Sequence, residues 1–247
     1  MSNSLQGKTV LVTGGAVRLG AAICGAFAGE GANVVIHYKS SPDGAESLAD
    51  ELNKSGIKTW MIQANLSDPK IVGELINEVV DLTGGIDVLV NSAATFREEK
   101  LSDLTMESLQ ETIRLIAWAP FELTRKFAAS LKKGNSGAVV NILDTRINGL
   151  DMNHAGYILA KHVLHQMTRM LAVEYGPILR VNAVAPGAVL PPGGKDESYL
   201  EELVVNLPLN YAGTPGDVAD AVVFLAKSNF ITGQVIYTDG GRHIVER

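Results

Sequence analysis

The sequence predicts an α/β fold, a doubly wound parallel sheet of about seven strands with helices on both faces. Three observations carry the prediction. Short β-branched runs alternate with helix-period stretches along the whole chain. The apolar runs are continuous rather than alternating, as strands buried on both sheet faces require. The first of them leads straight into a glycine-bearing turn that opens a helix.

In chain order, strands are expected at Thr9–Thr13, Asn33–His37, Lys58–Ala64, Val88–Val90, Ala138–Ile142, Arg180–Ala185 and Gln234–Thr238. The helical patterns between them are Gly20–Gly29, Gly44–Lys54, Val72–Leu82, Met106–Leu131, Ala155–Tyr175 and Gly216–Ala226. Such alternation implies right-handed crossovers and a Rossmann-type sheet. No repeat or linker divides the chain, so residues 1–247 read as one domain. Ala188–Gly213 resists assignment: it holds Pro191, Pro192, Gly193 and Gly194, then a charged patch, then Pro208. An irregular insert of that length in a compact domain reads as a substrate loop.

Composition narrows the function. With 247 residues, 46% of them hydrophobic, the chain can bury a core without disulfides or metal staples. Cys24 is the single cysteine, which fits a reducing compartment. A formal charge of −6 offers no general attraction to nucleic acid or anionic membrane. Met1–Lys8 holds no long apolar run, and no stretch is long enough to span a bilayer. A soluble cytoplasmic protein is expected.

The turn Thr13-Gly14-Gly15-Ala16-Val17-Arg18-Leu19-Gly20 sits between the first strand and the first helix. Gly14 would make the tight turn and Gly20 would let helix and strand pack closely, so that N–H groups at the helix start face a diphosphate. Arg18 stands where the common dinucleotide pattern has its middle glycine; a guanidinium there can bridge phosphate oxygens and reach toward substrate. The second strand ends in His37-Tyr38-Lys39-Ser40-Ser41, with no acidic side chain for ribose hydroxyls. Tyr38, Lys39, Ser40 and Ser41 instead suit a 2′-phosphate, so NADP(H) is the expected cofactor. Asn65 and Leu66 fall where adenine would be met, and Asn91-Ser92-Ala93-Ala94 would support the nicotinamide half.

Tyr157 and Lys161 lie four apart in a strong helical pattern, on one face. An ammonium beside the phenol would stabilise phenolate and lower the tyrosine pKa. Asp144 ends the preceding strand region. His162 and His165 share a helix face without further ligand candidates, so no metal is expected.

These residues together resemble the short-chain dehydrogenase/reductase family over nearly the whole chain: Thr13–Gly20, Asn91–Ala93, Tyr157 with Lys161, Asn182 with Pro186-Gly187, and Thr238-Asp239-Gly240-Gly241. The resemblance implies hydride transfer from a nicotinamide with Tyr157 as proton donor, Lys161 on the nicotinamide ribose, Pro186 and Gly187 at the cofactor, and a homotetramer.

Where most of that family has a serine donating to a ketone oxygen, this chain has Asp144. An ionised carboxylate only accepts hydrogen bonds. Three readings stand: a degenerate site, a solvent-facing aspartate, or a site built for a nitrogen heterocycle presenting N–H groups. Arg18, the Tyr38–Ser41 segment, Asp144 with Tyr157 and Lys161, and Phe96 together resemble the pteridine reductase subgroup. That resemblance implies that Arg18 touches phosphate and pterin, and that Phe96 stacks on the substrate ring. Two departures are Ile116, where the family has a relay asparagine, and Ala94, where the subgroup has a serine. The expected function is NADPH-dependent reduction of a C=N bond in a dihydropterin or related small heterocycle, with Asp144, Tyr157 and Lys161 catalytic. The alternatives are a carbonyl reductase acting on an acyl or sugar ketone, and an NADPH-binding regulatory protein.

Overall fold

The computed structural model describes residues 4–193, 196, 198–205 and 207–245. Among the described residues seven strands form one parallel sheet: β1 (Thr9–Thr13), β2 (Asn33–Tyr38), β3 (Thr59–Gln63), β4 (Val88–Asn91), β5 (Gly137–Ile142), β6 (Leu179–Pro186) and β7 (Val235–Thr238). Their order is β3-β2-β1-β4-β5-β6-β7. The order reverses between β1 and β4, whose registered ends are Thr13 and Asn91. At such a switch point the chain departs in opposite directions on the two sides, leaving a crevice at the strands' carboxyl ends.

Period-two burial splits the core into two layers. Val10, Val12, Val34, Ile36, Val88 and Val90 face one layer with Ile23, Phe27, Val218 and Val222. Leu11, Val35 and Leu89 face the other with Leu75, Ile76, Leu123 and Phe127. The helices behind these layers are α1 (Arg18–Gly29), α2 (Pro42–Asn53), α3 (Pro69–Thr83), α4 (Met106–Ile113), α5 (Ala119–Ser130), α6 (Ala155–Glu174), α7 (Ser198–Val204), α8 (Pro215–Lys227) and α9 (Arg242–Val245). Among the described residues no helix is long and apolar enough to cross a membrane.

Three expectations are corrected. The helix expected over Met106–Leu131 is two helices joined by a π-turn at Arg114–Trp118. Pro120 accounts for it: its ring excludes the carbonyl four residues back, at Ile116, and it has no N–H to offer. The charged patch within 188–213, expected to be irregular, contains α7; Gly194 lies outside the described residues. The edge strands β3 and β7 are only partly covered, unlike the central strands.

Candidate active site

The glycine turn is shaped by a buried histidine. His37, 1% exposed at the end of β2, accepts the Gly14 N–H on Nδ1 at 3.0 Å. Its Nε2 donates to the Ala64 carbonyl at 3.2 Å, and its own carbonyl accepts the Gly15 N–H at 2.8 Å. Burial pushes its pKa down to about 4, which keeps Nδ1 free to accept. Gly14 adopts φ +65°, and a Cβ on Gly20 would lie 2.0 Å from the Gly14 carbonyl oxygen. With the Gly14 and Gly15 N–H groups committed to His37, the groups left for an anion are those of the first turn of α1, which no side chain caps. Arg18 adopts φ 55° and donates to the Pro191 carbonyl, tying the turn to the 188–213 segment.

Thr13 fastens the opposite wall. Its hydroxyl accepts the Ser92 and Ala93 N–H groups at 3.0 and 3.1 Å. A Cβ on Gly14 would meet Ala93 Cα at 3.0 Å. Asn91 turns inward, 3% exposed, and donates to Asn141 at 2.8 Å, so its side chain braces the sheet instead of facing the crevice. Asn65 accepts the Ser67 N–H at 3.2 Å and Leu66 is buried. Tyr38 is half-buried against the core, Lys39 and Ser40 are exposed, and the Ser41 side chain does not cap α2. Pro186 ends β6 beside Thr238. A Cβ on Gly187 would come within 2.7 Å of Asp239, so this glycine is needed for contact with that backbone.

The residues expected to react converge past the end of β5. The Tyr157 hydroxyl donates to Asp144 Oδ2 at 3.0 Å. Asp144 is 8% exposed, which removes the solvent-facing reading. It also accepts the Arg146 N–H at 2.9 Å, Arg146 Nε at 3.0 Å and Arg146 Nη2 at 3.1 Å. Two carboxylate oxygens offer about four acceptor positions, so a substrate N–H must displace one of these donors to reach Asp144. Arg146 donates onward to Asp151 at 2.7 Å, and Asp151 pairs with His154 at 2.9 Å. Phe96 stacks on His154 at 4.0 Å between centroids and meets Tyr157 edge-on at 4.9 Å. The Arg146 guanidinium carbon lies 4.6 Å from the Phe96 centroid.

The expected lowering of the Tyr157 pKa is not what this arrangement produces. Burial and then the Asp144 charge hold the phenol well above its ordinary value, with Arg146 opposing them. Lys161, 3% exposed, donates to the Ile142 carbonyl at 2.5 Å and lies 5.5 Å from the Tyr157 ring centroid. Burial brings its own pKa down to about 8. Ile116, at the π-turn, is 1% exposed and packs with Tyr157, Ile158 and Ala160.

Arg146, Asp151 and His154 were not singled out from sequence, and Thr13 and His37 entered only as the first residues of quoted segments, without these roles. Only Arg146 had a visible signal, a basic residue two positions after the odd aspartate. A cavity of about 550 Å³ lies under the 188–213 segment, lined by Val189, Leu190, Pro191, Leu200, Tyr211 and Pro215 among others. It includes none of Phe96, Asp144 or Tyr157, and joins the glycine turn through the Arg18–Pro191 contact.

Comparison with known proteins identifies the family. A family profile described as enoyl-(acyl carrier protein) reductase matches residues 15–243. The 3-oxoacyl-(acyl-carrier-protein) reductase of Staphylococcus epidermidis is 32% identical over 244 residues, covering 96% of this chain and 99% of that protein. The alternative dihydrofolate reductase 1 of Brucella canis, solved with NADP, is 35% identical with TM-score 0.91, covering 98% of this chain and 97% of that one. A promiscuous ketoreductase of lugdunomycin biosynthesis is 30% identical with TM-score 0.89, covering 98% and 100%. The chain belongs to the short-chain dehydrogenase/reductase family of oxidoreductases.

Proposed function

We propose that this protein reduces a C=N bond of a dihydropterin or related nitrogen heterocycle with NADPH. The observation that carries the reading is the buried Asp144 carboxylate bonded to the Tyr157 hydroxyl, where a ketone reductase offers a neutral donor. A carboxylate repels the oxygen of a polarised carbonyl and favours a nitrogen that gains a proton. Asp144 and Asp151 carry two negative charges beside the Tyr157 ring, offset by Arg146 and by Lys161, which lies 5.5 Å from the ring centroid. The 35% identity to an alternative dihydrofolate reductase supports the same substrate class.

The residues fit the cofactor: the Gly14–Gly20 approach leaves no room for a Cβ, and the start of α1 carries no side-chain cap. Leu19, Gly20 and Arg18 would hold the diphosphate, Lys39, Ser40 and Ser41 the 2′-phosphate, with Tyr38, Asn65 and Leu66 near the adenine. Ala93, Pro186 and Gly187 would shape the nicotinamide end, and Asn91 would act from behind it through Asn141. Lys161 would hold the ribose. When bound, the cofactor supplies the hydride. Tyr157 gives its proton to the substrate nitrogen, Asp144 orients the hydroxyl and passes to the resulting phenolate a proton taken up from solvent, and Phe96 with Arg18 bounds the ring. Assembly as a homotetramer belongs to this reading, supported by the exposed apolar Trp118, Leu159, Met170 and Phe230; light scattering measures it.

NADPH oxidation with dihydrobiopterin, dihydrofolate and a ketone panel tests the assignment. Pterin-dependent oxidation that Tyr157→Phe removes supports it. Turnover of ketones alone would favour the second reading, a carbonyl reductase, to which the 3-oxoacyl reductase and ketoreductase relatives point.

A further inference from the structure

Asp144 has one acceptor position turned to Tyr157, and a single residue fixes the rest of the carboxylate. Three of its four donors come from Arg146: the backbone N–H and Nε on Oδ1, and Nη2 on Oδ2. The fourth is the Tyr157 hydroxyl on Oδ2. Arg146 is itself braced, because Nη1 donates to Asp151 at 2.7 Å and Asp151 is pinned by His154 and by the N–H of Asn153 at 3.1 Å. Its guanidinium carbon lies 5.9 Å from the Tyr157 centroid, close enough to offset the carboxylate charge there.

From this geometry we propose that Arg146 is a positioning residue for the proton donor, acting through Asp144 to aim one carboxylate oxygen at the Tyr157 hydroxyl. The inference rests on the reading of Tyr157 as proton donor. A planar fork with fixed N–H directions sets both position and rotation of a carboxylate, whereas a lysine supplies charge without the fork. Without the Arg146 side chain only the backbone N–H at position 146 still holds Oδ1, so Oδ2 can swing and the Tyr157 hydroxyl loses a fixed acceptor. The charged groups around Tyr157 belong to the segment after β5 (Asp144, Arg146, Asp151), to the start and body of α6 (His154, Lys161), and to Glu99, whose backbone bridges to His154. Among these, Arg146 and Tyr157 are the residues whose side chains donate to Asp144.

A double-mutant cycle on full-length protein tests it. Arg146→Gln is expected to lower pterin kcat about 10-fold or more, the low end of what acid–base alignment contributes, with NADPH affinity unchanged. In an Asp144→Asn background the same change is expected to cost about 2-fold or less, because coupled residues are not additive. Arg146→Lys should recover part of the loss. Independently of turnover, the ¹³Cζ resonance of Tyr157, assigned with Tyr157→Phe, should move in Arg146→Gln in the same direction as in Asp144→Asn. Equal kcat losses in both backgrounds, or an unmoved Tyr157 resonance, would overturn the proposal. If Arg146→Gln does not fold, the resonance in Arg146→Lys decides: a wild-type position there, with wild-type kcat, overturns the role of the fork. Wild-type turnover by Tyr157→Phe sinks the proton-donor reading instead, and the resonance still reports on Arg146.

Discussion

Tyr157 and Asp144 are held 3.0 Å apart by a hydrogen bond that runs from phenol to carboxylate. A phenol that donates to an anion keeps its proton, and burial strengthens that tendency. On the proposed function, Tyr157 in this state is an acid in waiting, not a phenolate. A substrate whose nitrogen gains basicity as hydride arrives can take the proton, while Asp144 remains to accept the next one. Asp144→Ser should therefore move the enzyme toward ketones: pterin kcat/KM is expected to fall about 100-fold, within the range for acid–base groups, while ketone turnover rises. Steady-state assays on both substrate sets check it. Unchanged pterin turnover would remove Asp144 from the chemistry.

His37 makes the glycine turn sensitive to acid. Its folded pKa of about 4 lies below the ordinary 6.5, so the unfolded chain binds the proton more tightly. The stabilisation from neutral His37 is present above pH 6.5 and is lost as pH falls toward 4, a shift worth on the order of 3 kcal/mol. In the folded protein His37 takes up its proton only as the pH approaches about 4; there it no longer accepts the Gly14 N–H, so NADPH affinity should weaken near that pH and not above it. Denaturant unfolding at pH 7, 5.5 and 4.5 is expected to show this slope in the wild type and a flatter one in His37→Asn.

The difference between what the sequence disclosed and what it withheld follows from range. The parallel, doubly wound sheet and the position of the glycine turn were legible because burial on both faces of β1, β2 and β4 leaves continuous apolar runs. Tyr157 and Lys161 were legible because four residues is one helical turn. The acidic partner at Asp144 was visible as an oddity, but its four hydrogen bonds were not, since Arg146 reaches it through a turn that has no periodicity. His37 was hidden for a different reason. It sits in an apolar strand where a histidine looks like part of the polar end, and its partners lie 23 and 27 residues away. The π-turn at Arg114–Trp118 left Pro120 as its trace, a proline in the interior of the stretch expected as one helix, where it marks a break or kink.

Ile116 stands at that π-turn, packed against Tyr157. Restoring the family's residue by Ile116→Asn would bury an amide in an apolar cluster. Its unmade hydrogen bonds should cost about 1–3 kcal/mol, and a gain in turnover is not expected, because the Lys161 ammonium already has the Ile142 carbonyl as its acceptor. Thermal unfolding and kcat together check this. A stable variant with raised kcat would mean that the missing relay limits the native enzyme.

Two glycines of α1 offer a matched pair that separates cofactor geometry from helix stability. A Cβ at Gly20 would lie 2.0 Å from the Gly14 carbonyl oxygen and 2.9 Å from Gly15 Cα, while at Gly25 it would meet nothing within 4 Å. Both belong to the same helix, so the propensity gain from alanine is shared, about 0.5–1 kcal/mol. Gly25→Ala should therefore raise the melting temperature and leave NADPH affinity unchanged. Gly20→Ala must push the helix start off the turn, against backbone that cannot rotate away as a side chain could. It is expected to lower the melting temperature and to weaken NADPH binding more than 10-fold, a loss above about 1.4 kcal/mol. Calorimetric titration of NADPH into both variants decides the matter. Equal affinity in the two would show that the close approach of α1 to Gly14 serves packing alone, and that the diphosphate is held elsewhere in the crevice.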